Sequence, residues 1–114
     1  MKKIEAIIRA SKFNELRKAL HEVDVNYFSY WDVTTLGNKN ENKSHSSEDY
    51  NDNNNQKKHL SIVVNDAFEE VTIKTILSIA STKNEGDGKI FVSEINQAYL
   101  ISSGKKGEET LNYI

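Results

Sequence analysis

A polar, low-complexity segment divides this chain into two apolar parts and so limits where a core can form. Between Gly37 and Lys58 the only large apolar side chain is Tyr50, whereas the flanks 1–36 and 59–101 are regularly apolar. The stretch 38–56 contains seven asparagines and cannot offset its ordering entropy by burial. We therefore expect a single domain over residues 1–114, with a core built from the flanks and a flexible loop at 37–58.

The composition excludes several classes of function. A total of 15 Lys and Arg against 17 Asp and Glu gives a net charge of -2, which provides no electrostatic footprint for nucleic acid or an anionic membrane. The chain has no cysteine, so it can form neither a disulfide nor a thiolate metal site. No apolar run approaches the roughly 20 residues of a membrane span, and the first residues do not resemble a signal peptide. We therefore expect a cytoplasmic protein.

Hydrophobic periodicity predicts the order strand, helix, strand, strand, helix, strand. Ser11 stands where the first helix needs an N-cap, and Asp66 with Glu69 resembles a capping box at the start of the second. A turn and a short further strand are expected within 96–101. Residues 102–114 form a C-terminal tail, of which 104–109 is expected to fray. The predicted strands are 4–8, 27–36, 59–64 and 90–92, and the predicted helices are 13–23 and 66–81.

Two βαβ units with right-handed crossovers interlock into a four-stranded antiparallel sheet with both helices on one face, the ferredoxin-like α+β fold. The opposite face of the sheet is then uncovered. Ile7, Tyr30, Val33 and Val63 are strand residues that cannot all face the helices. A second subunit is therefore needed to cover them, and we expect a homo-oligomer.

Three stretches resemble the PII nitrogen-regulatory signal proteins. They are the N-terminal MKKIEAIIR at 1–9, Gly37 with the long loop after it, and GDGKIFV at 86–92, which is the most specific of the three. The resemblance implies a homotrimer with three adenine-nucleotide clefts between subunits. It also implies that the loop at 37–58 is a T-loop, which docks on a target such as a membrane transporter or a nitrogen or carbon metabolic enzyme.

The resemblance further implies a set of binding residues. Glycines in the loop 86–89 let backbone amides approach a phosphate and Lys89 adds a charge, although a tight turn feeding a strand explains the same residues. Lys57 or Lys58 matches the lysine that pairs with a 2-oxoglutarate-type effector. For the apolar residues of the set, ordinary sheet packing is the alternative. The nucleotide-binding residues implied are Ile7, Ser29, Gly37, Asn38, Lys39, Val63, Gly86, Asp87, Gly88 and Lys89.

The departures from the family pattern concern the outer phosphates and the metal. Lys39 replaces a glutamine that helps to hold Mg²⁺ and 2-oxoglutarate, and a lysine offers no acceptor oxygen. Leu100 and Ser102 replace two arginines that bind the outer phosphates. We therefore expect ADP or AMP to bind at least as well as ATP, unless Lys39, Lys105 or Lys106 restores the missing charge.

Tyr50 lies close to the position of a tyrosine that is uridylylated in some bacterial members, but the residues around it do not match. The three histidines His21, His45 and His59 lack the spacing of a metal site, and no nucleophile motif is present. A non-enzymatic regulator is the leading interpretation. The alternatives are a slow nucleotide-hydrolysing enzyme and a trimeric interaction or metal-tolerance module that binds no nucleotide.

Overall fold

The structure is a computed structural model that describes residues 1–37 and 55–112. Its helices and strands follow the predicted order. They are β1 (Lys2–Arg9), α1 (Phe13–Glu22), β2 (Ser29–Thr34), β3 (Gln56–Val64), α2 (Glu69–Ala80) and β4 (Gly88–Glu94).

The four strands form one sheet in the order β2-β3-β1-β4, and every neighbouring pair is antiparallel. The connection through α1 carries the chain from β1 past β3 to β2, and the connection through α2 carries it from β3 past β1 to β4. This arrangement is the ferredoxin-like fold, as the sequence predicts.

The core lies between one face of this sheet and the two helices. Alternate residues of β1 and β3 are buried there, as the two-residue period of a strand requires. Thr72 is fully buried on α2, and its hydroxyl donates to the carbonyl oxygen of Phe68 at 2.7 Å, so the polar group is satisfied inside the core. The buried apolar residues are Ile4, Ala6, Ile8, Phe13, Leu16, Leu20, Val25, Leu60, Ile62, Val64, Ile76 and Ala80.

Both predicted helix caps are wrong. Ser11 lies inside a short 3-10 turn, Ala10–Lys12, and makes no capping bond to α1. Asp66 begins another 3-10 turn, and its carboxylate pairs with the N-terminal ammonium at 3.0 Å instead of closing a capping box. The end of α1 is well defined, because Val25 N donates to Leu20 O and Asp24 N donates to His21 O, with Asp24 at φ 66. These bonds are those of a Schellman motif.

Several predicted boundaries also differ from the structure. Strand β2 is shorter than predicted, since 27–28 and 35–36 lie outside it. Strand β3 begins at Gln56, so 56–58 belong to the sheet and not to the loop. The segment 104–109, for which the sequence predicts fraying, forms part of a backbone-bonded turn, in which Leu100 N donates to Lys105 O at 2.7 Å.

The sheet face away from the helices is only partly covered within this chain. Ile7, Val33 and Val63 lie on this face, as predicted, because their sheet partners have the same orientation. Tyr30 does not, since it lies on the helix side with its ring 4.5 Å from that of Phe13. Among the described residues, no helix is long and apolar enough to cross a membrane.

Candidate functional site

The loop that leads into β4 is folded tightly against β1. A 3-10 turn, Glu85–Asp87, is closed by a capping box, in which the side chains of Asn84 and Asp87 each accept a hydrogen bond from the other residue's backbone amide. Gly88 then has φ 111, and a Cβ atom there would lie 1.7 Å from the carbonyl oxygen of Ile7. Gly88 is therefore required by its contact with β1, whether or not a ligand is present.

Asp87 is engaged within the protein. Its carboxylate accepts hydrogen bonds from Thr82 N at 2.6 Å, from the Thr82 hydroxyl, from Asn84 N at 3.2 Å and from Arg9 Nε at 2.9 Å. These donors, the Thr82 hydroxyl foremost, hold the pKa of Asp87 well below its usual range. The Asp87 carboxylate is therefore ionised, and its oxygens already accept hydrogen bonds from the protein. This arrangement indicates that Asp87 holds the loop in place and does not contact a ligand directly.

Lys89 is exposed at the start of β4 and lies on the open face of the sheet. It pairs with Ile7 across the β1–β4 ladder, so the two implied nucleotide contacts are neighbours on this face. Arg9 and its β3 partner Lys57 lie two residues further along the same face. Three cationic side chains are thus grouped around the glycine loop.

The structure separates the two lysines that match the effector-binding position. Lys57 is buried and lies on the same sheet face as Lys89. Lys58 points to the helix side, where its ammonium pairs with Asp32 at 2.5 Å and lies 5.5 Å from the centre of the Phe13 ring. Lys57 is therefore the better placed of the two for a ligand near Lys89.

A cleft of about 740 Å³ lies at the end of the sheet away from the glycine loop, between the start of β2, the end of β3 and the segment that follows β4. Ser29 and Val63, both implied nucleotide contacts, line it together with aromatic and aliphatic side chains. Asp24 is the single charged residue among those shown to line the cleft. Further lining side chains include Tyr27, Phe28, Asn65, Phe68 and Leu100.

The two groups of implied residues lie far apart within one chain. Ser29 is on β2, whereas Gly88 and Lys89 are on β4, and β3 and β1 separate these strands. Three inter-strand spacings amount to about 14 Å across the sheet. The cleft residue Val63 also pairs with Lys3 near the start of β1, whereas Lys89 pairs with Ile7 near its end. Within one chain the loop and the cleft are therefore separate surfaces.

The remaining residues implied by the resemblance belong to the segment that connects β2 and β3. Gly37 is exposed, and a Cβ atom added to it would have no neighbour within 4 Å among the described residues. Thr35 N donates to Asn55 O at 2.8 Å, which joins the two ends of that segment. Asn38, Lys39 and Tyr50 lie outside the described residues.

The two residues that, by the resemblance, stand in place of arginines lie in different surroundings. Leu100 lines the cleft, and Ser102 is exposed in the turn that follows. The Lys105 ammonium lies 3.7 Å from the Glu109 carboxylate, and the backbone of Lys106 forms an isolated antiparallel β-bridge with that of Tyr99. In the described part of the chain, no group of three acidic or histidine side chains is arranged to hold a metal ion.

Two functional candidates were not found from the sequence. Arg9 contacts Asp87 across 78 positions, and only a strand order that places the end of β1 beside the glycine loop could have indicated this pair. Asn65 lines the cleft with a side-chain oxygen that is buried and has no hydrogen-bond partner among the described residues. No sequence pattern marks that residue.

The sheet order, the two helices and the glycine loop before β4 define a ferredoxin-like protein. The family model "Nitrogen regulatory protein P-II" matches residues 1–105. A protein named nitrogen regulatory protein P-II from Rhodobacter capsulatus is 35% identical over 112 residues, which cover 97% of this chain and 100% of the relative. The chain belongs to the nitrogen regulatory protein P-II family, which confirms the resemblance.

Two further relatives show how widely the similarity extends. Nitrogen regulatory protein P-II from Azospirillum brasilense is 33% identical over 112 residues, covering 97% of this chain and 100% of the relative. Nitrogen regulatory protein P-II 2 from Methanothermobacter thermautotrophicus is 32% identical, covering 97% of each chain. The similarity therefore spans the whole fold and not only the glycine loop.

Proposed function

We propose that this chain is a non-enzymatic regulator that senses ADP or AMP in clefts between the subunits of a homotrimer. The observation that carries this proposal is the separation of the glycine loop, where β4 begins, from the aromatic cleft, which lies where β2 begins and where β3 and β4 end. Neither part is a complete nucleotide site. In a ring of three copies, the loop of each chain can face the cleft of the next.

The two parts have complementary chemistry. Around the loop, backbone amides and the side chains of Lys89 and Lys57 favour a negatively charged phosphate. The cleft, lined by Tyr27 and Phe28, favours an uncharged aromatic group such as a nucleobase with its ribose. A mononucleotide contains both groups.

The expected number of phosphates follows from two residues near the C-terminus. By the resemblance, Leu100 and Ser102 stand at the positions of two phosphate-binding arginines. A hydrogen bond to a charged group contributes about 1.5 to 3 kcal/mol, so two missing arginines remove most of the preference for a γ-phosphate. With Lys39 in place of a glutamine, Mg²⁺ also loses an oxygen ligand. ADP and AMP are therefore favoured over Mg-ATP.

The signal passes to a target through a population shift. Nucleotide in the cleft favours one conformation of the T-loop, and that conformation binds or releases a membrane transporter or a metabolic enzyme. Lys57 lies at the β3 root of this loop and beside the phosphate-facing cations, so a carboxylate effector such as 2-oxoglutarate would meet it there. Such an effector should add little to ATP affinity, because Lys39 does not help to hold it.

Calorimetric titration with ADP of the wild type, Lys89→Ala and Lys18→Ala tests the phosphate half of the site. Lys89→Ala should weaken every phosphorylated ligand, whereas Lys18→Ala, which removes an exposed lysine of α1, should leave affinity unchanged. Absence of heat with any nucleotide would instead favour the interaction or metal-tolerance module. Steady-state release of phosphate that depends on Lys89 would favour the hydrolase.

A mixing experiment tests whether the cleft lies between subunits. Lys89→Ala removes the charge at the glycine loop, and Ser29→Trp fills the cleft. If each site combines the glycine loop of one chain with the cleft of another, co-refolding the two variants in equal amounts restores roughly a quarter of the sites. If each site lies within one chain, mixing restores none.

A further inference from the structure

We propose that Arg9 is a positioning residue for the phosphate half of the site, because it holds Asp87 and so fixes the loop 86–89 before a ligand binds. The inference deepens the proposed function and rests on it where ligand affinity is concerned. Its structural part, the order of the unliganded loop, can be tested separately.

The pair between Arg9 and Asp87 is partly shielded and joins two separate parts of the fold. Arg9 is the last residue of β1, and its Nε lies 2.9 Å from Asp87 Oδ1. The two side chains are 20% and 17% exposed, so water competes only weakly for this charge-assisted hydrogen bond. The pair therefore ties the loop to the central strand of the sheet.

The same carboxylate also holds the loop together internally. Asp87 accepts from the backbone amides of Thr82 and Asn84, which lie at the start of the loop. Arg9 thus restrains the turn 82–87 through the Asp87 carboxylate. The turn then continues into the β1–β4 ladder, which begins at Gly88.

Gly86 provides a second observation in favour of this role. A Cβ atom at Gly86 would lie 2.9 Å from Arg9 Nη2, so the guanidinium rests directly against the backbone of the glycine loop. A side chain at position 86 would displace the flexible end of the Arg9 side chain. Glycine at this position therefore leaves room for the contact between Arg9 and Asp87.

The pair matters for binding because a loop that is fixed in advance pays less ordering entropy when it binds a phosphate. Loss of Arg9 should therefore weaken phosphorylated ligands and spare uncharged ones.

The test compares Arg9→Met, Asp87→Asn and the double variant by titration with ADP and with adenosine. Each single variant should bind ADP roughly tenfold more weakly, the double variant should be little worse than either, and adenosine affinity should not change. Arg17→Met, which removes an exposed arginine of α1, is the matched control and should bind both ligands normally. Unequal effects, with Arg9→Met weakening ADP and Asp87→Asn not, would show that Arg9 contacts the phosphate itself and would overturn the proposal.

Amide hydrogen exchange of the unliganded protein separates this inference from the proposed function. In Arg9→Met, exchange in the loop 84–88 should become faster while exchange in β3 stays as in the wild type. Unchanged exchange in the loop would overturn the positioning role whatever the ligand is. If exchange responds as expected but the wild type binds no nucleotide, the proposed function fails and the role of Arg9 in ordering the loop stands.

Discussion

Replacing Gly88 with alanine should be among the most destabilising single changes in the described part of this protein. The new Cβ atom would meet the carbonyl oxygen of Ile7 at 1.7 Å, and this contact can be relieved only by moving the backbone of β1 or β4. The φ of 111 at this position adds strain for any residue with a side chain. Together the strain and the overlap should cost about 3 to 5 kcal/mol.

Gly107 provides a closely matched control. Its φ is 107, almost the same as that of Gly88, but a Cβ atom there would have no neighbour within 4 Å among the described residues. Gly107→Ala should therefore show the conformational strain alone, about 1 to 2 kcal/mol. The difference between the two variants isolates the contact between the glycine loop and β1.

Thermal and urea unfolding followed by circular dichroism, at one fixed protein concentration, measures both variants. The midpoint should fall on the order of 15 °C for Gly88→Ala and roughly 5 °C for Gly107→Ala. If the two variants lose the same stability within about 1 kcal/mol, β4 does not begin against β1 in the way described.

Three further predictions concern acid stability, effector binding and assembly. Because the pKa of Asp87 is lowered in the folded state, chiefly by Thr82, its stabilising effect is complete above the usual carboxyl pKa and is lost as the pH falls below it. Urea midpoints between about pH 5 and about pH 2 should therefore fall more for the wild type than for Asp87→Asn; equal falls would contradict this sign. Lys57→Met should alter binding of ADP or a carboxylate effector in a titration, whereas Lys58→Met, which loses contacts on the helix side, should not; the reverse order would reassign the effector lysine. Light scattering at micromolar concentration should give about three times the chain mass of 13.0 kDa, and a mass near that of one chain would refute the homotrimer.

The elements that sequence reasoning predicts correctly are those set by periodicity. The apolar residues of β1, α1 and β3 recur at spacings that only one kind of element fits, and the right-handed crossover rule then limits the topology. The boundaries are predicted less well. The polar composition of 56–58 predicts a loop, yet these residues extend β3. Their backbone groups are satisfied by pairing with β1 and β2.

The cap predictions are wrong for a different reason. Ser11 and Asp66 have the right side chains for capping, but each lies in a 3-10 turn that precedes its helix. Helix α1 still begins at Phe13, as predicted, whereas α2 begins at Glu69, three residues later than predicted. Asp66 then finds a cationic partner from the start of β1, which is remote in the sequence. Competition between local and long-range partners is not visible in a sequence pattern.

The candidate site could be named from the sequence only in part. The resemblance of the motifs points to Gly86–Lys89, Ser29 and Val63. The strand pairing is needed to see that the glycine loop and the cleft lie at opposite ends of the strands. The internal role of Asp87 also required the three-dimensional structure, since its partners Thr82 and Arg9 lie on different elements. Residues 38, 39 and 50 lie outside the described structure, and their roles stay predictions.

Competitive calorimetric titration of the full-length protein with ADP and ATP tests the central claim most directly. We predict one adenine nucleotide per chain, with ADP bound at least as tightly as ATP, because Leu100 and Ser102 stand where the family has arginines for the outer phosphates. ATP binding more than about tenfold tighter than ADP, a difference of about 1.4 kcal/mol, would contradict the argument from the missing arginines. No binding of either nucleotide would contradict the nucleotide-sensing function itself.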